Sequence, residues 1–492
     1  MPPFHGLGVC AALAAACLFA GCRSTQRTAA ASLHSIPRVG SATVERRRDA
    51  VPGESERVIQ PVSHQRDQST PLAGGMETDD SFAGTNELSL EALIAVVQAR
   101  NPSLQAAQAA WSAAAERFPQ VVAFDDPTLQ TMFAPATFPS GSAVQSSYYI
   151  GVAQRVPWHG KRELRGQMAQ WEANAAGWNV EEVKLRLAAA ARMAFFDFYL
   201  VRRELELNQH NVELMQDFRA AAKAKYEANQ VSEQDLSAAD LELAKLQQQR
   251  LELEQTERTS VARINTLLHQ RPDNGLPPPP QRLTINTDLP EAGSLREVAI
   301  QRRPELAALA ARIQSEQNAV ALACKEYYPD FEFMGRYDSF WTDRVQRPQV
   351  GMNMNVPLRN DRRAAAVCEA QFRVSKLMAE HSQLEDAVRE EVQIAHSRVL
   401  SNQKTAELYG DRILPAALTN LEAARAAYIA GSIDFLRLME ARRQSTEQQI
   451  GYQRTLTEYH RSRSDLERAV GTPIAEIAST DLNSPTNETS DH

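Results

Sequence analysis

The residues best suited to chemistry are few and far apart. The ten histidines of this 492-residue chain are scattered, and none forms the H-E-x-x-H pair that seats zinc on one helix face. No Walker A lysine motif is present, so the chain cannot draw energy from a nucleotide. Met352 and Met354 carry copper-binding sulfur, but they alternate along a strand-like segment, where an apolar surface role fits them better. His159, beside Trp158, stands where a strand-like segment passes into a helical one and reads as structural. Cysteine is limited to Cys10, Cys17, Cys22, Cys324 and Cys368, which is neither a disulfide scaffold nor a zinc-finger array. The residues therefore give no catalytic constellation, no metal site and no cofactor. The chain reads as a passive component rather than an enzyme.

Composition points to helices. Ala, Gln, Glu, Arg and Leu dominate after residue 160, and aromatics are only 7%. A net charge of -8 removes the electrostatic footprint of a nucleic-acid binder. Beyond the N-terminus no apolar run reaches the ~18 residues of a membrane-spanning helix.

Residues 7–21, LGVCAALAAACLFAG, form one short apolar run and read as an export signal covering 1–21. The run ends in Phe19-Ala20-Gly21-Cys22, which resembles the lipobox of bacterial lipoproteins, although Phe19 stands where an aliphatic residue is usual. Cys22 is then the lipidation site; a plain cleaved signal is the alternative. Residues 22–86, rich in Ser, Thr, Arg, Gln, Pro and Gly, read as a flexible tether.

The remainder repeats one plan twice. LIAVVQARNPSL from Leu93 aligns with LREVAIQRRPEL from Leu295, an offset of 202 that also places Pro102 on Pro304. RVPWHGKRELR around Pro157 falls on NVPLRNDRRAA around Pro357, 200 apart. Tyr226 meets Tyr428, and Asn229 meets Gly431, again 202 apart. The repeats are 87–271 and 289–475, joined by a Pro-rich linker, 272–288, and followed by a polar tail, 476–492. Each repeat reads as a helix (88–118; 294–326), two strands, a very long helix, a tight turn and a shorter helix. Leucines at 200, 207 and 214, and at 236, 243, 246 and 253, predict coiled-coil packing. A helix over 160–226 is roughly 100 Å long. Pro415 should interrupt its counterpart in the second repeat.

In the strands, Val350, Met352 and Met354 alternate with small or polar residues, and Phe331 and Phe333 with charged ones. One face is apolar and the other polar, as in a barrel wall between lipid and water or a hairpin on a soluble core. For the barrel, four strands are too few to close, so the chain must oligomerise; three copies supply twelve strands.

This layout resembles the TolC-type outer-membrane efflux family over roughly residues 86–475, on the duplication, the junction RVPWHGKRELRGQ and the turn motifs at Tyr226 and Tyr428. The resemblance implies a mainly α fold with a small β part: a homotrimer whose long helices form an α-barrel and whose strands form a 12-stranded β-barrel. It implies an outer-membrane location with lipid on the barrel, a periplasmic adaptor and an inner-membrane pump of the resistance-nodulation-division type as partners, and no nucleic acid. PWHGKRELR and YIAGSIDFLRLMEARR look like the heavy-metal cation branch, with organic toxins as the other substrate class. The turns become periplasmic tips, with Tyr226, Asn229, Asp235, Tyr428, Gly431 and Glu440 as gate residues. Gly431 and Asn229 suit the left-handed conformation that reverses a helical hairpin. The family's tip latch joins a Tyr, an Asp and an Arg; Tyr428 and Asp235 match, but Ile433 replaces the Arg. An acidic ring maps to Arg437 and Glu440, of which only Glu440 keeps the charge. The resembled fold also sets the helix ends carrying Cys324 and Cys368 side by side, and a disulfide between them is an expectation. The rival reading is a periplasmic coiled-coil adaptor or scaffold.

Overall fold

The computed structural model describes Phe82 and residues 86–140, 143–228, 232–341 and 343–474. The export signal, Cys22, almost all of the tether, the polar tail and Asn229 lie outside the described residues.

The element order runs twice, with prolines setting the breaks. The first helix expected over 88–118 is three: α1 (Leu90–Arg100), α2 (Pro102–Ala115) and α3 (Arg117–Val122). Its counterpart over 294–326 is two, α6 (Ala292–Arg302) and α7 (Pro304–Lys325). The residue before a proline is pushed out of the helical region. Asn101 (φ -68°, ψ 124°) and Arg303 (φ -66°, ψ 119°) are accordingly extended, and each breaks the single helix expected across it.

The long helix α4 (Lys161–Glu227) and its return α5 (Glu233–Leu267) complete the first half. In the second half, α8 (Asn360–Leu408) leads into a π-helical turn over Tyr409–Ile413, α9 (Leu414–Ile429) and α10 (Phe435–Val470). Pro415 thus sits in the first turn of α9, and the wide turn before it absorbs the missing N–H donor.

The α4–α5 seam has the expected period of seven; on α4 it runs one residue beyond the leucines, and on α5 it passes through Leu246 and Leu253. Val201, Asn208, Met215 and Ala222 are buried on α4, and Ala239, Leu246, Leu253 and Ser260 on α5. Leu200, Leu207 and Leu214 flank the seam, half-buried. The Asn208 amide donates to the Leu246 carbonyl at 3.2 Å, a polar pin that fixes register in an otherwise sliding interface.

The strands β1 (Thr128–Ser140), β2 (Ala143–Val156), β3 (Phe331–Asp338) and β4 (Pro348–Met354) form one antiparallel sheet in chain order, with β1 and β4 at its edges. β1 and β2, at 13 and 14 residues, are longer than β3 and β4, at 8 and 7.

The sheet and helices are locked where they meet. Gly160 (φ 84°) turns the chain from β2 into α4. The first residue of that helix, Lys161, is wholly buried. Its ammonium donates to Asp330 Oδ1 (2.9 Å), the Tyr328 carbonyl (3.2 Å) and Glu326 Oε2 (3.3 Å), so all three protons are used. Asp330 also accepts the Trp158 N–H at 2.9 Å and pairs with Arg155 at 3.3 Å. Trp158 stacks on Tyr328, ring centres 5.1 Å apart. The junction of the first half is thereby bolted to that of the second.

Removing one partner of a buried pair strands the other charge. Lys161→Met should cost about 3–5 kcal/mol in urea unfolding followed by helical circular dichroism, and adding Asp330→Asn should recover part of the loss. A second site titrates. His460 stacks on Phe196 at 5.4 Å, and its buried Nε2 has no hydrogen-bond partner among the described residues. Burial, then Arg463, push its imidazole down to about 4 from the ordinary 6.5. The unfolded chain therefore takes up a proton that the fold refuses, and stability should fall as pH drops from 6.5 toward about 4. Thermal melts of His460→Phe should lack that slope.

Candidate functional site

Two surfaces carry the functional candidates: the hairpin ends of the helices and the faces of the sheet.

At the second hairpin, α9 ends and Gly431 adopts φ 76°, as its position required. Its N–H donates to the Tyr428 carbonyl at 3.1 Å, and the Ser432 N–H to the Ala427 carbonyl at 2.9 Å, closing the helix end. Asp434 then caps α10 by accepting the Arg437 N–H at 3.2 Å. At the first hairpin, the Ala228 N–H closes on the Ala224 carbonyl at 3.2 Å, and Asp235 stands in the first turn of α5.

The two repeat-related tyrosines have different fates. Tyr226 is exposed, whereas Tyr428 is buried in a cluster with Phe218, Ala222, Phe435 and Leu438 that joins the two hairpins. Lys225 lies over the Tyr428 ring at 4.1 Å and donates to its backbone carbonyl. The Tyr428 hydroxyl is buried and has no hydrogen bond among the described residues. Burial raises its pKa, and the nearby Asp235 raises it further. Asp235 is itself pushed up by burial and then by Asp434. Ile433 packs half-buried against the cluster where the arginine was expected. The structure thus brings Tyr428, Asp235 and Gly431 to one end, with Lys225 as the cation beside them. Arg437 and Glu440 are exposed, as are Ile429 and Leu436.

Sequence reasoning missed an ionic hub on the same helices. Glu242 receives Arg442 (3.0 Å), Arg443 (3.1 Å) and Lys245 (3.0 Å), and Arg442 is buried. Burial works against the Glu242 charge, but Lys245, Arg442 and Arg443 outweigh it and hold the carboxyl below its usual range. Opposite charges at nearly equivalent positions of the two repeats were the available signal. The Lys161 bolt was missed likewise: its lysine stands in a legible motif, but nothing in that motif hints at burial.

On the sheet, register settles the faces. Phe331 opposes Met354, Phe333 opposes Met352, and Gly335 opposes Val350. Ile150 opposes Tyr337 and Val152 opposes Gly335; Leu129 opposes Val152 in turn. Directly opposed residues share a face. One apolar face therefore runs unbroken across four strands, with Val350 94% exposed, Phe133 and Leu129 each 68%, and Met352 56%. The other face carries Glu332, Arg336 and Asn353, with hydrogen bonds from Arg336 to Gln349 (2.8 Å) and from Asn353 to Glu332 (3.1 Å).

Cys324 and Cys368 are exposed free thiols, so the expected disulfide is not formed. Cys324 is one residue from the end of α7, and Cys368 lies eight residues, about 12 Å, into α8. Among the described residues no group of three or more His, Cys, Asp or Glu could hold a metal ion.

Because the pKa of Asp235 is raised, its charge opposes the closed packing at neutral pH, and protonation relieves the strain. Asp235→Asn should raise the melting temperature at neutral pH. The gain should shrink as pH falls through the carboxylate range, where the wild-type side chain also becomes neutral.

The comparisons agree with this geometry. Residues 295–472 match the family model described as outer membrane efflux protein. Among curated proteins, no sequence matches the chain. The outer-membrane channel OprN superposes with a TM-score of 0.68 at 19% identity, covering 83% of this chain and 98% of that one. CusC, described for its folding and transmembrane channel formation, gives 0.67 at 15% identity over 78% and 92%. The outer membrane protein VceC from Vibrio cholerae gives 0.66 at 16% identity over 78% and 96%. Residues 295–472 are thus similar to the outer membrane efflux protein family, and about four fifths of the chain shares the fold of the channels OprN, CusC and VceC.

Proposed function

We propose that the chain is the passive outer-membrane duct of a tripartite efflux system. One observation carries the reading: a four-stranded sheet with two open edges and an exposed apolar face spanning all four strands. Open edges are not tolerated in lipid, so β1 and β4 pair with neighbouring copies. Three copies close a 12-stranded barrel, with Val350, Met352, Met354, Phe331 and Phe333 toward lipid and Glu332 and Arg336 toward water. Aromatic residues mark both rims: Trp158, Tyr328 and Phe331 at the helix junction, and Tyr337, Phe340 and Trp341 at the far end of β3. The eight residues of β3 span roughly 26 Å, close to the height of a barrel's apolar band. No helix among the described residues is long and apolar enough to cross a membrane. The long helices then continue the duct through the periplasm, anchored through Cys22 by lipid. The hairpin ends carrying Asp235, Tyr428 and Gly431, together with Asn229, form the gate. They meet a periplasmic adaptor fed by a resistance-nodulation-division pump.

For cargo, the motifs favour heavy-metal cations over organic toxins. A deletion strain should lose growth on copper, silver, zinc or cadmium rather than on dyes. A coiled-coil adaptor or scaffold would have no use for the exposed apolar sheet.

The wall itself is tested by paired substitutions. A cation facing the bilayer midplane costs about 2–4 kcal/mol in a membrane barrel. Val350→Arg should deplete the heat-modifiable oligomer from outer-membrane fractions. Gln349→Arg, on the opposite face, should assemble normally and shift ion selectivity in planar bilayers. Equal tolerance of both would refute the assignment of faces.

A further inference from the structure

An apolar groove of about 790 Å³ lies where α3 and α4 meet the base of the sheet. Phe118, Val122, Phe124, Trp158, Phe331 and Phe333 line it. It opens on the face that carries Phe333, so it continues the apolar side of the sheet downward onto the helices. Phe118 and Phe124 are 43% and 52% exposed, unusual for phenylalanines beside a helix that carries so many charges.

The groove is built rather than incidental. A Cβ on Gly166 would come within 2.6 Å of Val122 and 3.1 Å of Phe118, so only glycine lets α3 lie this close to α4. Arg162 holds the lip: its Nε donates to the Val122 carbonyl at 2.8 Å, and its guanidinium lies 3.5 Å over the Phe124 ring. Among the described residues Arg162 has no carboxylate partner. The one acid lining the groove, Glu163, faces Gln167 at 3.5 Å. Lys325 brings a second cation nearby, against Gly160 and 5.7 Å from the Tyr328 ring centre. Exposed His159 completes the rim.

We infer that this groove is a binding site for one phospholipid per subunit, taken from the leaflet that faces the helices. An acyl chain lies along Phe118, Phe124 and Phe333, and the headgroup phosphate meets Arg162 and Lys325. An apolar trough continuous with the lipid-facing wall and ending in two cations with no carboxylate partner among the described residues matches that amphiphile and its charge. The inference rests on the outer-membrane reading above. The bound lipid would wedge α3 against α4 beneath the membrane surface.

The test uses the oligomer in nanodiscs of phospholipid brominated on its acyl chains. Trp111, Trp171, Trp178 and Trp341 are replaced by Phe, leaving Trp158 as the only reporter. Its fluorescence should be strongly quenched, and Phe118→Glu or Arg162→Gln in that background should relieve much of the quenching. In a second variant, Trp158 is also replaced and Val350→Trp reports on the outer wall. Quenching at 350 without quenching at Trp158 overturns the groove site alone, and a neighbouring subunit then fills it. Absence of quenching at both positions overturns the membrane reading itself. If the multiply substituted protein fails to assemble, native mass spectrometry of the wild-type oligomer decides the matter. Phospholipid retained by wild type and lost from Phe118→Glu supports the site, and equal retention or none overturns it.

Discussion

A buried lysine ammonium dictates much of this architecture. Lys161 starts the longest helix, has no contact with water, and spends all its protons on the segment leading into β3. An isolated charge in that position would be intolerable, so the two halves of the chain must meet there in one register. The bolt fixes how a sheet with period two passes into helices with period 3.6, and with it which strand residues turn outward.

The second half of the chain lacks an equivalent. Aligned on Pro157 and Pro357, Lys161 falls on Asp361, and Trp158 on Leu358, which is 82% exposed. The first turns of α8 are open as well, with Phe372 73% and Met378 47% exposed. One junction is thus closed within the chain while the other is left bare, as expected of a subunit that completes its packing against a neighbour. At the opposite end the halves join through the Tyr428 cluster and the Glu242 hub. The helices are therefore held together at both ends of α4, while Asp235 and Asp434 repel at the hairpin end.

Much of this was legible in the sequence because it rests on periodicity and repetition. Strict alternation at Val350, Met352 and Met354 gave the strand face. The spacing of leucines gave the α4 side of the seam to within one residue, since Asn208 and Ala222, not leucines, occupy it, and named Leu246 and Leu253 on the α5 side. Gly431 was readable because only a left-handed residue can end the helix there. What stayed hidden depends on contacts between distant segments. Nothing local says that Lys161 is buried or that Glu242 faces Arg442. Nor does anything local say that Tyr428 is covered while its repeat mate Tyr226 is bare. The breaks at Asn101 and Arg303 were readable from the prolines that follow them, and were overlooked because the helical composition continues through both.

The decisive measurement is the number of chains per particle when the protein is extracted from outer membranes in mild detergent, weighed against its behaviour without detergent. A three-chain particle that precipitates once detergent is withdrawn is the outcome this account requires. A single chain that remains dissolved in plain buffer would mean that the exposed apolar sheet is covered from within the molecule, and the duct would have no wall.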